Sequence, residues 1–181
     1  MADGALDDLF GPPLAPEGIR PIEHGLEPTN LVEFDDAVAH ALKSLLDVAN
    51  QTPLVNHVLE SMTFLWGIDV EGRLMMCVEE MCWASDPDTR FPRLRGMPLD
   101  ATPFAALGHP LLFDGGYARI AGELFLDEGR GGLDWTITNK SGRYGFGPSR
   151  VFVHLENAAK LFQANGLAVH THYLERRGGR A

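Results

Sequence analysis

The chain has 181 residues, 45% of them apolar and 22% charged, a size and balance that fit one globular domain and exclude a disordered or fibrous chain. Its formal net charge of −10 speaks against nucleic acid as a partner. The N-terminus is acidic and no apolar run approaches the roughly 18 residues of a membrane helix, so neither a cleaved signal nor a membrane partner is expected.

Only two cysteines occur, Cys77 and Cys82; a secreted domain of this size would normally carry more as staples, so a reduced pair and a cytoplasmic location are expected. The charge is unevenly distributed. Residues 1–89 hold 17 Asp/Glu against three Lys/Arg, and residues 90–181 hold eight against twelve. The first half would attract a basic protein partner and the second would hold an anion locally. The alternative is that the two halves neutralise each other in the fold.

In chain order, residues 1–29 are rich in proline, glycine and acids, and read as a disordered acidic tail. Within it Leu6, Leu9 and Phe10 are spaced like a short linear motif that docks on a partner as one helical turn. The domain proper is expected over 30–175. Asn30 and Glu33 have the N-cap and N3 spacing that opens a helix, and Leu31, Phe34, Val38, Leu42, Leu45 and Ala49 follow at three- and four-residue intervals. Thr52-Pro53 opens a second helix with Pro at N1. From Thr63 the apolar period changes to two, and Glu71-Gly72 separates two runs, 63–70 and 73–81, that predict a β-hairpin. Residues 84–103 carry four prolines and three arginines and read as a long irregular connection.

Further strands are expected over 105–113, 117–126 and 133–138, separated by glycine-rich turns. A helix over 149–165 with Val151, Leu155, Ala158, Ala159 and Phe162 inward, Gly166 at C′, a strand over 167–174 and a frayed end at 176–181 complete the chain. The absence of βαβαβ alternation predicts an α+β fold: an antiparallel sheet with two N-terminal helices and one C-terminal helix packed on it.

The most distinctive polar residues lie in the strand region: His109 in an apolar run, Glu123 after Ala121-Gly122, and Ser141, Arg143 and Tyr144 in a tight turn after Asn139. The order His109, Ala121-Gly122-Glu123 and Asn139-Lys-Ser141-Gly142-Arg143-Tyr144 resembles a module of bacterial polymorphic toxins also found in plant IQ-motif calmodulin-binding proteins. The resemblance spans about residues 66–174. It departs from that pattern at Pro110-Leu111, where the family has small hydroxyl residues, and at Arg143, where it has histidine. A guanidinium does not deprotonate at usable pH, so this chain is either a binding descendant of the module or a protein in which the turn is structural.

Read as chemistry, His109, Glu123 and Tyr144 form a candidate catalytic set and Ser141 with Arg143 a candidate anion site, all expected to line one concavity. A His, Tyr and Glu set also resembles the ADP-ribosyltransferase arrangement. The same residues also read as a capped turn, a half-buried histidine and a solvent-facing glutamate. His170 and His172 project from one strand face, as metal ligands do, but no third ligand accompanies them and a polar sheet face is expected. No cofactor-binding fingerprint is present. Two functions of different class follow: a small acidic protein of bacterial conflict systems that binds a basic partner, as an immunity protein, inhibitor or secretion-associated protein; and a small effector enzyme acting through His109, Glu123 and Tyr144.

Overall fold

The computed structural model describes residues 3–98, 103–129, 132–144 and 149–175. The expected frayed end at 176–181 and the tip of the 129–132 turn lie outside them. The fold is α+β. Helices α1 (Asp3–Phe10), α2 (Asp36–Gln51), α3 (Pro53–Glu60) and α4 (Phe152–Ala164) accompany strands β1 (Val32–Glu33), β2 (Phe64–Asp69), β3 (Leu74–Val78), β4 (Glu80–Trp83), β5 (Asp86–Pro92), β6 (Phe104–Leu107), β7 (Ala118–Gly129), β8 (Gly132–Thr138) and β9 (His170–His172). They form a six-stranded sheet, β1-β3-β2-β7-β8-β9, and a three-stranded sheet, β5-β4-β6. All pairings are antiparallel except β8 with β9, which run parallel because α4 carries the chain back between them.

The period of two in 64–70 is realised in the packing. Phe64, Trp66 and Ile68 on β2 join Ile120, Leu124 and Leu126 on β7 and Trp135 and Ile137 on β8 in a core completed by Phe34, Leu42, Leu59, Leu155 and Phe162. Leu65 faces the other way, against Cys77 and Leu112. β2 is therefore buried along its whole length. Phe162 of α4 stands edge-on to Trp66 at 6.0 Å and lies 4.7 Å from Phe34, and Trp135 donates its indole N–H to the Leu42 carbonyl of α2 at 3.2 Å. These contacts seat the helices on the large sheet.

Several expected boundaries move, each for a local reason. The first helix of the domain opens at Asp36 with Asp35 as its cap, accepting from the Val38 N–H at 2.9 Å. Asn30 is bound elsewhere: its carbonyl accepts from the Val78 N–H at 2.6 Å and its amide donates to Glu80 at 2.8 Å. The residues that follow then form β1, with Val32 opposite Met76. The second arm of the hairpin is cut at Glu79-Glu80. Two buried carboxylates in an apolar run need counter-ions, and they find Arg93 at 2.6 Å and Arg90 at 3.7 Å. This passes the chain from the large sheet into the small one. The arginines lie in the supposedly irregular 84–103 segment, which contains β5; Pro87 and Pro92 are accommodated because β5 is an edge strand. The strand expected over 105–113 stops at Leu107, and Pro110, with its fixed φ, turns residues His109–Phe113 into a 3-10 helix closed by Asp114 at φ 48°.

The largest correction concerns the N-terminus. Residues 3–29 are not a free tail. Helix α1 buries Phe10 in the main core with Leu6 packed beside it, so only Leu9 of the expected docking motif remains exposed, at 43%. Leu14 bridges to Ala118 on β7. The cause is Arg119, a β7 residue only 1% exposed, whose charge must be compensated where it lies. It pairs with Asp7 of α1 at 2.5 Å and donates to the Gly11 and Val70 carbonyls at 3.1 Å each.

Candidate functional site

β8 pairs with β7 only from Leu124 onward, so the first half of β7 needs other partners for its backbone. Arg150 and the Leu14 N–H meet the Ala118 carbonyl. His109 Nε2 meets the Gly122 carbonyl at 2.9 Å. A carbonyl only accepts, so Nε2 carries the proton and the ring is the neutral Nε2–H tautomer. Burial, reinforced by the charges of Arg143 and Lys140, lowers the His109 pKa to about 4 against the pull of the carbonyl bond. At neutral pH His109 is a fixed, uncharged donor.

The 139–144 turn is held in the same way. Ser141 Oγ accepts from the N–H groups of Tyr144 at 3.1 Å and Arg143 at 3.4 Å, and the Tyr144 hydroxyl donates to the Gly116 carbonyl at 2.7 Å. Burial pushes the Tyr144 phenol up. Asn139 clamps the Leu174 backbone through both amide atoms. Arg143 donates to the Glu17 carbonyl at 2.9 Å and pairs with Glu23 at 3.2 Å. Glu23 is 2% exposed; burial opposes its ionisation, but bonds from Arg20 and the charges of Arg20 and Arg143 prevail and hold its carboxyl below the usual range. The proposed anion site is thus already occupied by a carboxylate of the chain's own N-terminal segment.

Glu123 lies apart from these groups. Its side chain is 13% exposed and its carboxylate takes Lys140 at 3.1 Å. Among the described residues no hydrogen bond or ion pair joins it to His109, Arg143 or Tyr144, and it opens on a separate cleft with Arg95 and Phe125. The single concavity expected of the five residues is divided: four anchor backbone around the first half of β7, and one faces elsewhere. The Gly122 that precedes Glu123 has its own reason. A Cβ there would lie 1.6 Å from the Thr138 carbonyl oxygen, so only glycine lets β8 end against β7. His170 pairs with Asp134 at 3.3 Å, and among the described residues no three His, Cys, Asp or Glu side chains are grouped to hold a metal. Nor is any helix among them long and apolar enough to cross a membrane.

A groove of about 480 Å³ opens between the β2–β3 turn and the His109–Phe113 helix, within the range of ligand pockets. Leu31, Met75, Leu112 and Phe113 give it an apolar floor, and Tyr117, 60% exposed, stands at its rim. Its charged lining is Glu27, Asp69, Glu71 and Asp114 against Arg73 alone. Arg73 is held by Asp69 at 2.6 Å and Glu71 at 3.4 Å, so one cation serves four acids and the groove keeps a net charge of −3. Sequence reading missed this site because its residues come from three separate segments, 27–31, 69–75 and 111–117. The one local sign was the Asp114-Gly115-Gly116-Tyr117 turn, which presents a carboxylate and an aromatic ring together.

Comparison with protein-family models, with curated proteins and with solved structures finds no match.

Proposed function

We propose that this chain is a small binding protein of bacterial conflict systems, acting as an immunity protein, an inhibitor or a secretion-associated partner, and that it captures a basic segment of another protein in the groove beside Tyr117. The observation that carries the reading is the groove itself. Uncompensated carboxylates stand around an apolar floor, the combination that selects a lysine or arginine flanked by apolar side chains. The acidic excess of residues 1–89 extends the same field beyond the groove and would speed encounter with a basic partner. Of the polar groups of the resembling segment, His109, Ser141, Arg143 and Tyr144 are committed to anchoring backbone, which suits a binding descendant of that module.

Selection of short random peptides on the wild-type protein alone, followed by assay of the enriched peptides on the double variant Glu71→Lys/Asp114→Lys, tests this reading. Both side chains are exposed, so neither reversal removes a core contact, and a cooperative melt of the variant checks that it folds. Enrichment of basic peptides with an apolar anchor is the expected result. Enrichment of acidic or uncharged peptides, or of peptides that bind the variant equally well, contradicts the proposal.

A further inference from the structure

The cleft on which Glu123 opens is chemically the opposite of the groove and shares no lining residue with it. It has a volume of about 250 Å³ and gathers Arg93, Arg95, Lys140 and His172, with Glu123 the only lining carboxylate. The cations differ in how they are held. Arg93 is bound to the buried Glu79 at 2.6 Å, with its Nε buried and unpartnered. Lys140 is shared with Glu123 and is 59% exposed. Arg95 has no carboxylate within ion-pair distance among the described residues. Its Nη1 donates to the backbone carbonyls of Leu126 at 3.2 Å and Glu60 at 3.4 Å, and its guanidinium lies 4.3 Å above the Phe125 ring.

An arginine fixed in this way is preorganised. The carbonyls hold one nitrogen and the ring holds the plane, leaving the remaining N–H groups as a rigid fork matched to a tetrahedral oxyanion. Lys140 supplies a second charge and the Thr138 hydroxyl a neutral donor, since its oxygen already accepts the Lys140 N–H at 3.2 Å. We infer that this cleft is a binding site for a phosphoryl dianion, free or as a small phosphomonoester, with Arg95 the principal ligand and Lys140 its partner. The size accommodates a phosphoryl group and a small substituent, and the acidic surroundings on the first half of the chain disfavour a long polyanion. The inference does not depend on the groove.

The test is titration of the full chain with inorganic phosphate, and separately with phenyl phosphate, at fixed ionic strength, followed by NMR of arginine Nε–H and backbone amide signals. Saturable shifts at Arg95, Phe125 and Lys140 are expected. Arg95→Gln should weaken binding about tenfold or more, the scale of losing a charge-assisted hydrogen bond. Because Arg95 also braces Phe125, Lys140→Gln, at a 59% exposed position and with an amide that still donates to Glu123, serves as the second variant and should weaken binding severalfold with only a small change in melting temperature. Equal affinity for the two probes assigns the site to free phosphate, and tighter phenyl phosphate assigns it to esters. Shifts that grow linearly without saturation, or that persist in both variants as they are in the wild type, overturn the inference.

Discussion

His109 shows how a single residue ties this fold to pH. Its neutral ring is required where it lies, so the folded protein resists taking a proton until about pH 4, whereas the unfolded chain takes one near 6.5. Between those values the unfolded state binds more protons, and stability falls as pH falls; below about 4 both states are protonated and the loss stops. The loss over that window is roughly 3 kcal/mol by linkage. His109→Gln keeps an N–H donor for the Gly122 carbonyl without the titration. Denaturant melts of the two proteins from pH 7 to pH 4 should therefore converge in slope only above pH 6.5, with the variant flatter below. His154 is also lowered, by burial and by Arg150, but it is common to both proteins and cancels in the difference. A second residue-scale expectation concerns Gly122. Its alanine variant drives a Cβ into the Thr138 carbonyl, a backbone atom that cannot step aside without separating β8 from β7. Gly122→Ala should fail to give a cooperative melt, whereas Gly142→Ala, where a Cβ meets nothing within 4 Å, should fold.

Among the elements, α1 departs furthest from expectation, and it makes a clear prediction. Burying Phe10 and capping the charge of Arg119 with Asp7 and the Gly11 carbonyl make residues 3–11 part of the domain. Phe10→Ala should cost about 3–5 kcal/mol, the usual penalty for emptying a buried aromatic site. Deletion of residues 1–11 also leaves a buried guanidinium without its carboxylate, and should lower the melting temperature by roughly 10 °C or more. An unchanged melting temperature on deletion would mean that α1 is dispensable. The elements legible in sequence, β2, α3, β8 and the apolar face of α4, owe this to local signals, a periodic apolar face, the Pro53 start of α3 and the glycine turns beside β8: Phe64, Trp66 and Ile68, or Leu155, Ala158 and Phe162, declare their face without reference to the rest of the chain. The misread ones depend on partners far away in sequence. Asn30 carries a helix-cap signature but answers to Val78 and Glu80. Arg90 and Arg93 gave no strand signal, because β5 is specified by the buried Glu79 and Glu80 across from it. The candidate site is legible in part for the same reason: the sequence marks the polar residues from His109 to Tyr144 within apolar surroundings, but the partners that decide their roles, Glu23, Gly116 and Gly122, are set only by the tertiary fold.

At the scale of the whole molecule, the charge asymmetry is only partly cancelled. Arg143 with Glu23, Arg119 with Asp7, and Arg90 and Arg93 with Glu80 and Glu79 all join a base of the second half to an acid of the first. Of the charge that remains, acids gather in the groove beside Tyr117 and bases in the cleft beside Arg95. Long-range attraction to a basic partner should therefore survive folding and be screened by salt. The most direct measurement is calorimetric titration of the strongest basic peptide from the selection into the wild-type protein and into Glu71→Lys/Asp114→Lys, at about 0.05 M and about 0.3 M salt, a range over which the Debye length falls from roughly 14 Å to below 8 Å. Wild-type affinity that drops about tenfold across this range, with no measurable binding by the variant, is the predicted result; affinity that is independent of salt and unchanged by the two reversals would contradict the account.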